Sequence, residues 1–222
     1  MKKVLVIAPH PDDETLGCGG TLLRHKKLGD EINWLIVTSA TEKTDLPDYD
    51  VQYKSIEINK VAEIYGFKFF QNLCLPTTRL DVLPLADIIT DISNVFKELF
   101  PEIIYLPYRG DIHSDHRVVF DAVASCTKWF RYESIKRVLA YETLSETDFG
   151  INPDANGFRP NVFVDITNYL ETKLEIMKVY ASELGEFPFP RSGQAVRALA
   201  ALRGAASGCH AAEAFMLLKE IL

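Results

Sequence analysis

The sequence is short of the features that mark export, membrane insertion and nucleic-acid binding. No window of its 222 residues reaches the roughly 18 consecutive apolar positions that a membrane-spanning helix needs. The apolar stretch 4–8 is too short for the core of a signal peptide, so none is expected. Acidic residues outnumber basic ones, 31 to 24, which predicts no general affinity for nucleic acid or anionic membranes.

Cysteine is sparse as well. The four cysteines are far apart and form no C-x-x-C pair, which excludes a disulfide framework and a thiolate zinc site: Cys18, Cys74, Cys126 and Cys209. Reduced thiols are typical of a cytoplasmic protein, which is the location we predict. No repeat or low-complexity linker divides the chain, so we expect a single domain over residues 1–222.

Apolar runs that predict strands alternate with amphipathic segments that predict helices. The predicted strands are 4–8, 32–38, 67–73, 103–106, 138–141 and 162–165. The predicted helices are 15–28, 53–65, 85–100, 118–130, 168–182 and 193–202. This alternation predicts an α/β fold, a Rossmann-like and mainly parallel sheet with helices on both faces. The last segment, 211–222, receives no assignment.

Two polar clusters follow the first and the fourth predicted strand. The first is HPDDE, residues 10–14, and the second is DIHSDH, residues 111–116. In open parallel sheets, ligands gather beyond the carboxyl ends of the strands. We therefore expect both clusters at that edge.

The first cluster is open to three interpretations. Gly17 and Gly19 begin a dinucleotide fingerprint, but Leu22 stands where its third glycine belongs, and the preceding acids would repel a pyrophosphate. We expect these glycines to serve close packing instead. Acids at the start of a helix can simply cap it and complement its dipole, which is the role expected of Glu14.

A metal site would explain both clusters together. His10 and a carboxylate three residues on can converge on one ion, and a histidine of the second cluster would be the third ligand. Water would take the fourth position, with Asp12 beside it as a base. Asp115 can fix the tautomer of a histidine. The second cluster thus offers one histidine for the metal and one spare.

The strings PHPDDE and HSDH resemble the signature of a known family, the LmbE-like or PIG-L family of zinc-dependent de-N-acetylases. The later segment LRGAASGCHAAEAF is similar to the closing segment of that family. The resemblance implies a bound Zn²⁺ or other divalent metal and removal of acetyl from an N-acetylglucosamine-type substrate. It also implies a homo-oligomer, which is common among relatives.

The resemblance also implies a role for individual residues. Three match the metal ligands: His10, Asp13 and His116. Three match the catalytic group: the general base Asp12, the oxyanion-stabilising and amine-protonating His113, and Asp115, which orients His113.

Three basic residues are expected to bind substrate: Lys54, Arg109 and Arg203. Lys54 stands where the family often has an arginine, so a bidentate grip becomes a point charge. Ala211 replaces a tyrosine of the family near Glu213. Loops 39–50 and 143–160 are expected to line the pocket, and a sugar nucleotide, a glycolipid and a glycoside all stay open as substrates.

Two other classes of function compete with this interpretation. A sugar- or nucleotide-binding module without catalysis would bind no metal and release no acetate. A metal-dependent phosphoesterase would use an acid set for a second metal or a Lys/Arg cluster, and neither accompanies the motifs.

Overall fold

The computed structural model describes residues 1–39, 51–151 and 157–222, with side chains from residue 54 onward in the second range. Six helices and seven strands occur there in this order: β1 Lys3–Ala8, α1 Asp13–Lys27, β2 Glu31–Ser39, α2 Val51–Tyr65, β3 Phe69–Pro76, α3 Leu85–Leu99, β4 Ile103–Pro107, α4 Ser114–Ser125, β5 Arg137–Tyr141, β6 Val162–Asp165, α5 Leu170–Met177, α6 Gly193–Ser207 and β7 Ala212–Glu220. The predicted loop positions 40–50 and 152–156 lie outside the described residues.

The strands form one sheet in the order β3-β2-β1-β4-β5-β7-β6. β1 to β5 pair in parallel, whereas β7 runs antiparallel to both β5 and β6. The prediction of a single α/β domain with a mainly parallel sheet is confirmed. The antiparallel strand is the segment to which the sequence pattern gave no assignment.

The strand order reverses between β1 and β4. β2 lies next to β1 on one side, and β4 lies next to β1 on the other. At such a reversal a crevice opens beyond the carboxyl ends of the two strands, here β1 and β4. The first polar cluster follows β1 and the second follows β4. The topology therefore directs both clusters to the same crevice.

The alternation of side chains along β1 builds a core on each face of the sheet. Val4 and Val6 pack in a cluster with apolar residues of α1, α2, α5 and α6. Leu5 and Ile7 pack on the other face with residues of α3 and α4. Because both faces are covered, the central strands read as continuous apolar runs in the sequence.

The glycines after the first cluster lie against this core. A Cβ on Gly17 would come within 2.3 Å of the Tyr141 ring, and one on Gly20 within 2.6 Å of Ile166. The close approach of α1 to the sheet therefore requires glycine here, as expected from the sequence.

Two predicted boundaries differ from the structure in ways that affect the site. The helix predicted from residue 118 begins at Ser114, because the side chain of His113 accepts the backbone N–H of Asp115 and caps it. The strand predicted at 67–73 runs from Phe69 to Pro76. Within the described ranges, no helix combines the length and apolar character needed to cross a bilayer.

Candidate metal and active site

The two polar clusters meet at the carboxyl ends of β1 and β4. His10 and Asp12 lie in the turn before α1, and Asp13 is the first residue of that helix. His113 caps α4, and His116 lies in its first turn. Residues that are distant in sequence are thus in contact at the switch point of the sheet.

Asp13 is the centre of this contact. Its Oδ2 atom accepts the backbone N–H of His10 at 2.9 Å and lies 3.4 Å from Nδ1 of the same histidine. The same oxygen lies 3.3 Å from Nε2 of His116. One ligand atom from each of the three residues lies within 4.8 Å of the others, as a three-ligand site for one ion requires.

A second group, His10, His113 and Asp115, meets the same distance criterion. The Asp115 carboxylate, however, already accepts the backbone N–H groups of Thr78 at 2.7 Å and Leu80 at 3.3 Å. Its Oδ2 also lies 3.1 Å from His10 Nε2. With these partners its lone pairs are largely used, so the group around Asp13 fits a metal better.

The state of His116 provides the test of that fit. The residue is fully buried, and its Nδ1 lies 2.8 Å from Oδ2 of Asp111, which therefore accepts the Nδ1–H. The lone pair is then on Nε2, which has no hydrogen-bond partner among the described residues and faces Asp13. A lone pair directed at a carboxylate needs a cation between them, so these residues fit a divalent metal.

Electrostatics point the same way. Burial lowers the pKa of His10, but hydrogen bonds with Asp115 and Asp13 raise it to about 9. Burial likewise lowers the pKa of His116, and Asp13 and Asp111 raise it well above its ordinary value. Burial raises the pKa of Asp13, and the two histidines outweigh this and hold it below its ordinary range. The pocket therefore favours positive charge beside Asp13, whether from protons or from a metal ion.

Asp111 is fixed in turn by the loop after β5. The hydroxyl of Thr147 donates to Asp111 Oδ1 at 2.6 Å, and the Thr143 backbone N–H donates to the same hydroxyl at 2.9 Å. A carboxylate that fixes the tautomer of a metal-ligating histidine raises the affinity of a metal site. The sequence placed Asp111 in the second cluster but gave it no role.

Asp115 orients a different histidine from the one expected. Its carboxylate hydrogen-bonds to His10, as given above, whereas His113 Nδ1 is 3.9 Å from it. The contact between Asp115 and His113 is made by the backbone, whose N–H donates to His113 Nδ1 at 3.1 Å. This contact leaves the imidazole proton of His113 on Nε2, because Nδ1 is an acceptor.

Asp12 has an unusual backbone conformation, with φ 132° and ψ −28°. Its N–H donates to Oε2 of the fully buried Glu14 at 3.1 Å, and Oε1 of Glu14 accepts the hydroxyl of Tyr180 at 2.9 Å. Such strain collects at functional sites, where surrounding contacts hold it. Burial, Asp13 and Glu183 raise the pKa of Asp12 well above its ordinary value, which suits a carboxylate that accepts a proton.

A cavity of about 290 Å³ opens above these groups, close to the lower limit for ligand pockets. Its lining combines the proposed ligands and base with residues from four other parts of the chain: His10, Pro11, Asp12, Asp13, Lys54, Thr77, His113, Thr143, Glu146, Glu183 and Arg191. The predicted loop 143–160 contributes Thr143 and Glu146 to it.

The structure brings only one of the three expected substrate-binding cations to the cavity. Lys54 lines it. Arg109 is exposed and paired with Asp121 at 2.7 Å, and Arg203 makes a bidentate pair with Glu142 at 2.7 and 2.5 Å, so neither lines the cavity. The expectation that Arg109 and Arg203 lie at the cavity is corrected, because each guanidinium pairs with a carboxylate outside its lining.

Sequence reasoning gave no role to two further residues that line the cavity, Glu183 and Arg191. They lie in connections far along the chain, outside the two motifs. A weak signal was available for Arg191, which occurs in an irregular stretch of aromatic and proline residues, EFPFPRS.

The chain matches a known family over more than half of its length. The family described as PIG-L: GlcNAc-PI de-N-acetylase matches residues 5–127, which include both polar clusters. The chain is also similar to the diacetylchitobiose deacetylase of Thermococcus kodakarensis, with 28% identity over 229 residues, covering 96% of this chain and 82% of that protein.

Solved structures share the fold. A conserved protein of Thermus thermophilus superimposes with a TM-score of 0.80 at 24% identity, covering 100% of this chain and 97% of that one. GalB of Pseudomonas putida, a 4-carboxy-2-hydroxymuconate hydratase, gives a TM-score of 0.77 at 16% identity, covering 100% and 98%. Because a hydratase shares it, the fold alone does not decide the reaction.

Proposed function

The chain belongs to the PIG-L family and is a de-N-acetylase, and from this premise we propose how its residues hydrolyse the amide of an N-acetylated amino sugar. The observation that carries the proposal is Nε2 of His116, which has no hydrogen-bond partner in the described part of the chain and lies 3.3 Å from Asp13 Oδ2. His10, Asp13 and His116 would hold one divalent metal, for which we propose zinc. When bound, the metal supplies Lewis-acid activation of the attacking water and of the acetamide carbonyl.

We assign the proton transfers to Asp12. Its carboxylate lines the cavity beside Asp13 and takes a proton from the attacking water. The raised pKa of Asp12 makes the protonated form accessible, so the same carboxyl returns that proton to the departing nitrogen. The C–N bond then breaks to give acetate and the free amine.

We assign a different task to His113. Burial and the neighbouring His10 lower its pKa to about 4, so the ring is neutral at neutral pH and keeps its proton on Nε2. A neutral ring of this kind is a fixed donor to the oxyanion of the tetrahedral intermediate. In this mechanism Asp12 carries the proton to the leaving amine, and the part in amine protonation that the family resemblance implied for His113 stays a prediction.

The test is acetate release by the purified protein with added Zn²⁺ or another divalent metal. Methyl N-acetyl-glucosaminide and N,N′-diacetylchitobiose should both yield acetate and a free amine, and a phosphoester such as p-nitrophenyl phosphate should yield no phosphate. Metal binding without acetate from any N-acetylated sugar would contradict the mechanism. Phosphate release would favour the phosphoesterase, and binding of sugar without metal or acetate would favour the non-catalytic module.

A single catalytic domain over residues 1–222, a cytoplasmic location and a homo-oligomer stay predictions of the sequence. Sedimentation of the purified protein would measure its oligomeric state.

A further inference from the structure

One side of the cavity is formed by Lys54, Glu183 and Arg191. Each of the two cations forms an ion pair with the carboxylate of Glu183. Lys54 Nζ donates to Glu183 Oε1 at 2.6 Å and to Ser182 Oγ at 2.8 Å, and lies 3.2 Å from Glu57 Oε2. Two of the three N–H donors of the ammonium group are thus held by Glu183 and Ser182, and the Glu57 carboxylate lies within ion-pair distance.

Each of the three guanidinium nitrogens of Arg191 also donates a hydrogen bond. Its Nε donates to the Glu183 carbonyl at 2.9 Å, and its NH2 to Glu183 Oε2 at 3.4 Å. Its NH1 donates to Ser145 Oγ at 3.2 Å. Both cations that line the cavity in the described residues therefore have Glu183 as a common carboxylate partner.

Carboxylates outnumber the lysine and arginine side chains along the cavity. Asp12, Asp13, Glu146 and Glu183 line it against the two cations Lys54 and Arg191. A phosphate group would have to separate Glu183 from its cations and would then face the other carboxylates.

The hydrogen-bonding groups also favour a neutral ligand. Oε2 of Glu146 is buried and has no hydrogen-bond partner among the described residues. The backbone of Glu146 is fixed, since its N–H donates to the Thr143 carbonyl at 3.2 Å and its carbonyl accepts the Ile112 N–H at 3.1 Å. Glu146 also lines the cavity, and because an ionised carboxylate only accepts hydrogen bonds, a sugar hydroxyl complements it there and a phosphate oxygen does not.

We propose that this cavity selects neutral saccharides carrying the N-acetyl group, and that Glu183 excludes sugar phosphates, sugar nucleotides and other anionic conjugates. The inference rests on the proposed de-N-acetylase function, because it names the substrate class of the same site. Glu183 acts here as a specificity-determining residue: it neutralises two cations that would otherwise attract an anion.

The experiment compares acetate release from methyl N-acetyl-glucosaminide with that from N-acetylglucosamine 1-phosphate. The unmodified protein should prefer the neutral sugar by at least about tenfold in kcat/KM, because like charges brought together at a site oppose binding strongly. Glu183→Gln keeps the shape of the side chain and removes its charge. It should reduce that preference by about tenfold, mainly through a lower KM for the phosphate.

Glu186→Gln is the matched control, because Glu186 is an exposed glutamate of the same segment and should leave the preference unchanged. A second measurement does not depend on any variant: glucose 1-phosphate should inhibit the unmodified protein no better than methyl glucoside does. Equal or better use of the phosphate by the unmodified protein, or an unchanged preference in a folded Glu183→Gln protein, would overturn the inference. No acetate from either sugar would instead overturn the proposed function.

Discussion

Oδ2 of Asp13 lies 3.3 Å from Nε2 of His116, although the two residues belong to different motifs and different strand–helix units. The parallel pairing of β1 with β4 brings them together, because both residues follow the carboxyl end of their strand. This contact joins the two halves of the proposed metal site.

Removing one side of that contact should remove the metal. His116→Ala deletes the ligand atom Nε2, so the purified and dialysed protein should contain little zinc and release acetate at a small fraction of the original rate. Elemental analysis together with the acetate assay measures both. His210→Ala is the control, since His210 is exposed and should retain both properties. Unchanged zinc in His116→Ala would exclude His116 as a ligand.

Asp12→Asn should separate catalysis from metal binding. The amide cannot take the water proton, so kcat should fall by about 10²–10⁴-fold, while zinc content stays near one ion per chain. The control is Asp121→Asn, an exposed aspartate paired with Arg109. If Asp12→Asn retained the original kcat, Asp12 would not be the base.

Replacing Asp115 should change metal affinity, whereas replacing His113 should change kcat. Asp115→Asn weakens the hydrogen bond to His10, so metal affinity should fall by about 10–100-fold. His113→Ala removes the oxyanion donor and also the cap of α4, so the protein should lose some stability, while metal affinity should hold and kcat should fall by about 10²–10³-fold. Titration with zinc and steady-state kinetics separate the two. Loss of kcat at unchanged metal affinity in Asp115→Asn would instead favour the role in orienting His113.

The sequence predicted the part of the site that follows from local chain order. Apolar runs alternating with amphipathic segments specify parallel strands, and the polar residues after each strand must then share an edge. His10 and His116 are predictable on this basis, although the motifs do not reveal that Asp115 would turn toward His10.

The rest depends on pairings between distant segments, which the sequence does not encode locally. β7 inserts antiparallel between β5 and β6, and no local pattern specifies that insertion. Arg109 and Arg203 were expected to bind substrate. In the structure they pair with Asp121 and Glu142 instead, and no local sequence pattern indicates these pairs.

Gly17 should be a packing residue, and not part of a phosphate loop. In Gly17→Ala the new Cβ would meet the ring of Tyr141 at 2.3 Å, and that ring is held by a hydrogen bond from its hydroxyl to the Ile7 carbonyl. Urea unfolding should show a loss of about 1–3 kcal/mol. Gly193→Ala is the control: its nearest contact is Leu174 at 3.9 Å, so stability should hold or rise slightly. A Gly17→Ala protein as stable as the original would refute the packing role.

A buried ion pair between Glu213 and Lys173 contacts the middle of α1. Glu213 of β7 accepts the backbone N–H groups of Gly20 at 2.9 Å and Thr21 at 2.7 Å, in the middle of the helix. Lys173 of α5 donates to Oε1 of Glu213 at 2.6 Å and to the Leu16 carbonyl at 2.8 Å. The pair thus connects the last strand to the helix that begins at the metal site.

Lys173→Met should therefore cost more stability than any surface lysine. The substitution keeps much of the side-chain volume but leaves the buried charge of Glu213 without its partner, and the expected loss is about 3–5 kcal/mol in the free energy of unfolding. Lys178→Met is the matched control, because Lys178 follows the same helix and forms an exposed pair with Glu175, worth about 1 kcal/mol at most. Urea denaturation of both variants measures the difference. Similar losses would show that the Glu213 carboxylate is adequately held by the two backbone N–H groups, and that Lys173 contributes little to the attachment of β7 to α1.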